Sequence, residues 1–298
     1  MLRVLSIGDL VEPGTYRFLN GFRRVVNLTD GKRIVTLGLP GLDRGPFNII
    51  AEGFDPDDVE YVHVAPVALH LLGERAEFSA DAVYDSQLPS VIKGGEDFDR
   101  NLPALGTLLV ANAPRKSLAY LLDRTRMRAI ESAFERNMAE HMLNCVRDAV
   151  LWNRRRGISR LSGCGIGLTP SGDDFIVGFL LGLVVLERMG FRDWTGERER
   201  VLEWTGLRDI MSTAFLSAAA RGHTFESMRE VVVALDLGDE AAVRKATLRL
   251  FGIGATSGAD TAVGFFITVR EGLAGRLKGC TRAGRLGAAL NEGTSLWS

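Results

Sequence analysis

Cysteine is scarce in this sequence, and long apolar runs are absent. Three cysteines, Cys145, Cys164 and Cys280, are scattered over 298 residues without a CxxC pair. Such a set argues against a disulfide scaffold and a thiolate zinc site, and it predicts a reducing compartment, the cytoplasm. The longest strongly apolar run, Phe175–Leu186, covers 12 residues, whereas a membrane span needs about 20. We therefore expect a buried helix there and no membrane association.

A large charge of one sign is also missing. The 36 lysines and arginines against 37 aspartates and glutamates leave a formal charge of −1, so no global field attracts nucleic acid. The HExxH, GxSxG and Walker-type motifs are absent, and His63, His70 and His141 lack metal-ligand spacing. These absences remove the usual sequence signatures of zinc peptidases, serine hydrolases and P-loop nucleotide binding.

The first 112 residues are predicted to be a β-rich domain, built from hairpins in a barrel-like sheet or a small sandwich. Short β-branched runs alternate with turn signals there, and Asp30-Gly31 predicts a tight hairpin turn between two of them. The stretch Val67–Gly73 is predicted as a short helix.

Residues 113–298 are predicted to form an α-helical domain, which makes the fold α+β. Seven apolar residues between Met127 and Val150 recur every three or four positions, which indicates one long helix. We expect Gly157 to end this helix.

The most informative segment is residues 165–179, which has a second copy at residues 252–265. The first reads GIGLTPSGDDFIVGF and the second GIGATSGADTAVGF. When Pro170 is skipped, ten positions match. Two such copies suggest a duplicated loop-and-helix unit, in which a glycine-rich loop precedes an apolar helix.

Two interpretations of this unit stay open. Ser171 with Asp174, and Ser257 with Asp260, have the spacing of a helix N-cap and an acidic residue in the first turn. Helix capping leaves the upstream glycines, the extra Asp173 and the duplication unexplained. A ligand site explains them, because glycine loops at helix N-termini offer backbone N–H groups to anions.

The segment GIGLTPSGDDFIVG resembles the hallmark of the AllH-type family, glycine-leucine-threonine-proline-serine-glycine-aspartate-aspartate. The resemblance extends through the carboxyl-terminal half, and Gly45–Ile50 is similar to the β-rich half of that family. It implies a subunit linked to oxamate carbamoyltransferase, which splits oxalurate with phosphate into oxamate and carbamoyl phosphate during allantoin breakdown. It also implies FdrA-like and AllG-like companion subunits. The hallmark positions are Gly165, Gly167, Thr169, Pro170, Ser171, Gly172, Asp173 and Asp174.

The leading hypothesis is therefore a subunit of a carbamoyl-transfer or related purine-catabolic enzyme that binds a small anion at helix N-termini. Candidate catalytic residues are Asp173, Asp174 and His223, the last as a loop base. Candidate ligand-binding residues share the two loops: Gly165, Gly167, Thr169, Ser171, Gly172, Thr256, Ser257, Gly258 and Asp260.

Two alternatives remain beside this hypothesis. One is a metal-dependent acyl or phosphoryl transferase, with Asp173 and Asp174 as the ligands of Mg²⁺. The other is a non-catalytic partner subunit, in which the loops only cap helices. The sequence leaves open whether the chain forms a homo-oligomer.

Overall fold

The short β-branched segments of the amino-terminal part form one curled sheet. The computed structural model describes residues 1–165, 169–206 and 209–279. The strands of the sheet are β1 (Arg3–Gly8), β2 (Gly14–Phe22), β3 (Val25–Thr29), β4 (Ile34–Gly38), β5 (Asn48–Glu52), β6 (Tyr61–Ala65), β7 (Ala68–Leu71), β8 (Glu74–Glu77) and β9 (Val83–Tyr84). Their spatial order is β8-β7-β6-β2-β3-β4-β5-β1-β9. Pairing is antiparallel except between β4 and β5 and between β1 and β9. The sheet and the helices that follow it confirm the predicted α+β class.

Two local predictions in the sheet need correction. The β3–β4 hairpin is present, but Thr29 pairs with Ile34, so four residues rather than two make the turn. The Asp30 carboxylate accepts hydrogen bonds from the N–H groups of Lys32 and Arg33, which stabilises this longer turn. The predicted helix at 67–73 is wrong, because β7 pairs there with β6 and β8.

The described helices are α1 (Glu96–Asn112), α2 (Ala133–Arg147), α3 (Arg154–Leu161), α4 (Ser171–Arg188), α5 (Thr195–Thr205), α6 (Ile210–Ala220), α7 (Glu226–Leu237), α8 (Glu240–Leu250) and α9 (Ser257–Leu273). Helix α1 lies within the first 112 residues, which are predicted to be β-rich, and it was not predicted. Its apolar face, with Phe98, Leu102, Leu105 and Leu109, belongs to the core of the helical region. The domain division at residue 112 itself stays a prediction.

The predicted long helix from Met127 is interrupted. Met127 lies in a short 3₁₀ helix, Arg124–Ala129, before α2 begins, and α2 is followed by a π-helical turn at Asp148–Trp152 and by α3. Gly157 does not end a helix but lies inside α3, where a Cβ would overlap the backbone of Ala149. The chain therefore turns back on itself at Asn153, and α3 packs closely against the end of α2.

Helices α4 and α9 form the centre of the helical region. Phe175–Leu186 is buried along almost its whole length, as its composition predicts. A Cβ at Gly178 would overlap the Thr261 carbonyl, and a Cβ at Gly264 would overlap the Phe175 carbonyl. The two helices therefore cross at backbone distance through these glycines. Among the helices of the described residues, none has the length and apolarity that a bilayer crossing requires.

Candidate functional site

The two glycine loops are held by matching backbone contacts. The Gly172 N–H donates to the Cys164 carbonyl at 2.8 Å, and the Gly258 N–H donates to the Ile253 carbonyl at 3.1 Å. A Cβ at Gly172 would overlap the carbonyl of Leu161, the last residue of α3, and a Cβ at Gly258 would overlap that of Leu250, the last residue of α8. Each loop thus folds tightly between one helix that ends and one that begins.

The first turns of α4 and α9 meet in space. The Thr169 hydroxyl, just before α4, lies 3.0 Å from the Ser257 hydroxyl at the start of α9. Thr169, Ser171, Thr256 and Ser257 are all partly exposed, whereas Asp174 and Asp260 behind them are buried. A layer of hydroxyl groups therefore covers a pair of carboxyl groups.

The serines do not cap the helices. Ser171 and Ser257 are the first helical residues, while Pro170 and Thr256 occupy the N-cap positions without a side-chain cap hydrogen bond. The capping-box interpretation of these serines is therefore wrong. Each serine hydroxyl instead lies beside the aspartate of the other copy, Ser257 beside Asp174 and Ser171 beside Asp260.

Asp174 sits on the inner side of this layer. Its Oδ2 accepts a hydrogen bond from the Thr169 hydroxyl at 3.2 Å. Burial, followed by the charge of Asp260, raises the pKa of Asp174 well above its usual range, against the lowering effect of hydrogen bonds from Ser257 and Thr169. The neutral carboxylic acid is therefore the favoured form of this group.

Asp260 is fully buried and only half satisfied. Its Oδ1 accepts a hydrogen bond from the Leu118 N–H at 2.6 Å. The hydroxyls of Ser171 and Thr256 lie close enough to lower its pKa. Neither makes a hydrogen bond of normal length to Oδ2, which has no partner among the described residues. Burial dominates and raises the pKa of Asp260 to about 7.

The charges of the two aspartates interact. The negative charge of Asp260 adds to the burial that raises the pKa of Asp174, so the two carboxyl groups do not both ionise readily near neutral pH. A pair of this kind can give or take a proton under physiological conditions.

Asp173 has a different position and a structural contact that the sequence did not reveal. Its Oδ1 accepts hydrogen bonds from the Gly163 N–H at 2.9 Å and from the Ser162 hydroxyl at 3.1 Å. Through these two bonds Asp173 fixes the entry to the first loop. Asp173 and Asp174 bond to different partners.

His223 is not brought to the loops. The preceding Gly222 lies against Val184 and Arg188, and Arg188 follows Asp174 by 14 residues, or about 20 Å of helix. The ring Nδ1 lies 2.8 Å from the Ser86 hydroxyl, which donates to Asp9 at 2.6 Å. The same ring nitrogen lies 3.4 Å from Asp9 Oδ2, so serine and aspartate share one ring nitrogen, whereas a hydrolase triad places them at opposite ring nitrogens. These contacts join the end of the sheet to the end of α6.

Of the two glycines at the start of the first loop, the structure describes Gly165 but not Gly167. Gly165 has a φ of 122°, which favours glycine, and it packs against the Ser171 backbone. Gly167 and Cys280 lie outside the described residues. Within the part of the chain that the structure describes, no group of three or more His, Cys, Asp or Glu side chains could hold a metal ion.

Residues 161–269 match the family of oxamate carbamoyltransferase subunit AllH. The match confirms the resemblance that the hallmark predicts, and it runs from the end of α3 into α9 and includes both loops. No curated protein and no solved structure matches the chain.

Proposed function

We propose that the chain is a subunit of a carbamoyl-transfer enzyme and that its ligand site lies where the first turns of α4 and α9 meet. The observation that carries this proposal is the buried pair of Asp174 and Asp260, each beside a serine of the other loop. The name of the matched family, which describes a subunit of oxamate carbamoyltransferase, supports the same reaction class.

The site offers hydroxyl donors to a carbamoyl compound. The hydroxyls of Thr169, Ser171, Thr256 and Ser257 are partly exposed and suit the anionic oxygens of phosphate or carboxylate. The buried Asp260 Oδ2 atom, which lacks a partner among the described residues, lies behind these hydroxyls and suits a proton that they relay. Carbamoyl phosphate carries such anionic oxygens in a small molecule.

The aspartate pair also supplies the proton that this chemistry needs. When phosphate attacks the carbamoyl carbon of oxalurate, the C–N bond to the oxamate nitrogen breaks and that nitrogen takes up one proton. Attacking hydrogen phosphate gives up one proton, so the exchange balances. In our proposal the carboxyl pair passes this proton through the hydroxyl layer, with Asp260 titrating near pH 7.

The two alternatives have less support. A Mg²⁺ site on Asp173 and Asp174 would require both carboxylates at one ion, yet Asp173 is engaged by Ser162 and Gly163. A purely capping role for Ser171 and Ser257 lacks the expected cap hydrogen bonds. The subunit name of the family implies companion subunits, and we propose FdrA-like and AllG-like partners for this chain.

A ligand panel in a thermal-shift assay tests the proposal. Purified protein is heated with phosphate, carbamoyl phosphate, oxamate or oxalurate, each with and without Mg²⁺. We expect stabilisation by carbamoyl phosphate that does not depend on Mg²⁺ and that Asp174→Asn abolishes. The neighbouring Asp173→Asn is the matched control, which should lower the melting temperature but keep the ligand response. Equal loss of response in both variants, or a response that requires Mg²⁺, would contradict the proposal.

A further inference from the structure

A separate cavity of about 370 Å³ lies between the start of α3, helix α5 and the residues after α9. Its lining contains one carboxylate and five cationic side chains: Glu197, Arg154, Arg155, Arg192, Arg200 and Lys278. The whole chain has a net charge of −1, so this excess of positive charge is local. A concave surface of one sign concentrates the electrostatic field and attracts ions of the other sign.

Two of these residues build the floor of the cavity. Arg154 is buried, donates to Glu197 at 2.5 Å and to the Lys278 carbonyl at 2.7 Å, and lies over the rings of Phe179 and Trp194. Glu197 also accepts a hydrogen bond from Arg200. Among the described lining residues, the one carboxylate is thus shared by Arg154, Arg192 and Arg200, and the positive charges exceed it.

Among the residues that the structure describes, Arg155 and Lys278 form no ion pair, and Arg192 only shares Glu197 with two other arginines. The Arg192 guanidinium stacks 4.0 Å from the centroid of the Trp194 ring, and its buried Nε has no hydrogen-bond acceptor among the described residues. A terminal nitrogen of the same guanidinium lies 3.9 Å from the Glu197 carboxylate, which is a long ion pair. Lys278 donates to the Trp152 carbonyl, which is a neutral group. The stacked Arg192 is therefore pre-organised but unsatisfied.

We infer that this cavity binds a small polyanion, a molecule that carries a phosphate group or at least two carboxylates. Arginine forks match both groups with paired hydrogen bonds, and a bound polyanion would satisfy the Arg192 Nε and offset the cation excess. The volume lies at the lower end of the range for small-molecule pockets.

The inference does not depend on the proposed carbamoyl site. Arg154 begins α3 and the first glycine loop follows the end of α3, so the length of the helix, about 12 Å, separates them. Ligands could occupy the two places at the same time.

Calorimetric titration with pyrophosphate and with citrate tests the inference. The full chain is titrated at low ionic strength and again at about 150 mM salt, where charges are screened more strongly. The variants are Arg192→Gln and Arg155→Gln, and the control is Arg244→Gln. Arg155 and Arg244 are both exposed helical arginines, and only the first lines the cavity.

We expect saturable binding of at least one probe, weakened about tenfold by Arg192→Gln or by Arg155→Gln and unchanged by Arg244→Gln. Binding of pyrophosphate alone would assign a phosphate ligand, and binding of citrate alone a polycarboxylate. Absence of saturable binding by both probes would overturn the inference. Equal weakening by all three substitutions would also overturn it, because that result indicates general attraction to the surface. Arg155→Gln keeps the test valid if Arg192→Gln fails to fold.

Discussion

The buried Asp260 makes the stability of the protein depend on pH in a defined direction. Its pKa is raised from 3.8 to about 7 by burial, so the folded state favours the protonated carboxyl group. The unfolded chain releases this proton near pH 4, whereas the folded chain keeps it until about pH 7. The stability that the neutral carboxyl provides is therefore fully present below pH 4 and is lost as pH rises to about 7.

The size of this loss follows from the shift. Three pKa units correspond to about 4 kcal/mol at 1.4 kcal/mol for each unit, or about 3 kcal/mol between pH 5 and pH 8. Asp260 is fully buried, so water does not weaken this effect by screening its charge. Asp174 shifts in the same direction, so the pair adds to the slope.

Asp260→Asn isolates the contribution of Asp260. The amide is close to the neutral carboxyl in shape, can accept from the Leu118 N–H, and does not ionise. We expect urea unfolding to give a variant that is more stable than the wild type at pH 8, by about 3 kcal/mol, and similar to it at pH 5. Thr268→Ser, a buried and non-titrating change on the same helix, should lower stability equally at both values.

An unchanged pH slope in Asp260→Asn would refute this reasoning. So would a variant that is destabilised to the same extent at pH 5 and pH 8. Either result would mean that Asp260 is ionised in the folded protein and finds a compensating partner.

Three further predictions concern packing and charge. In chemical denaturation, Gly178→Ala should lower the free energy of unfolding by about 3 kcal/mol or more, because its Cβ has no room at the helix crossing. Gly196→Ala, with open space around it, should be neutral or stabilising. Arg154→Met should lower the free energy of unfolding by about 3 kcal/mol, because it removes the buried partner of Glu197. The double variant with Glu197→Leu should recover part of that loss, and no recovery would contradict the account. Burial lowers the pKa of His223, so the unfolded chain binds a proton before the folded chain does, and stability is lost as pH falls below about 6.5. The melting temperature should therefore fall less between pH 7 and pH 5.5 in His223→Gln than in the wild type.

Local patterns predicted the helices and loops of the candidate site. The ten matching positions of the two copies identified both glycine loops and the helices after them without any knowledge of the fold. The apolar run in α4 predicted its burial correctly. These features depend on neighbours in the sequence, which is why the sequence alone reveals them.

Partners across the chain could not be predicted in the same way. The Leu118 N–H reaches Asp260 over 142 residues, and Ser257 reaches the first loop over 88. The second pair depends on the close crossing of α4 and α9 through Gly178 and Gly264, and the first on the packing of the segment after α1 against α9. Nothing in the local spacing distinguishes a serine that caps its own helix from one that faces the other copy.

Two predictions about helices were wrong. The β-rich prediction for the first 112 residues misses α1, although Phe98, Leu102, Leu105 and Leu109 have helical spacing and are buried in that helix. In the predicted long helix, the sequence pattern predicts a stop at Gly157, because glycine often follows a helix end. Its actual role is close packing, which only the tertiary structure reveals.

Calorimetric titration of carbamoyl phosphate into the wild type, Ser171→Ala and Ser257→Ala tests the central claim most directly. A site shared by both loops predicts one bound molecule per chain, with affinity reduced about tenfold by either substitution. The result that would contradict the account is two independent binding events per chain, or an affinity that neither substitution changes.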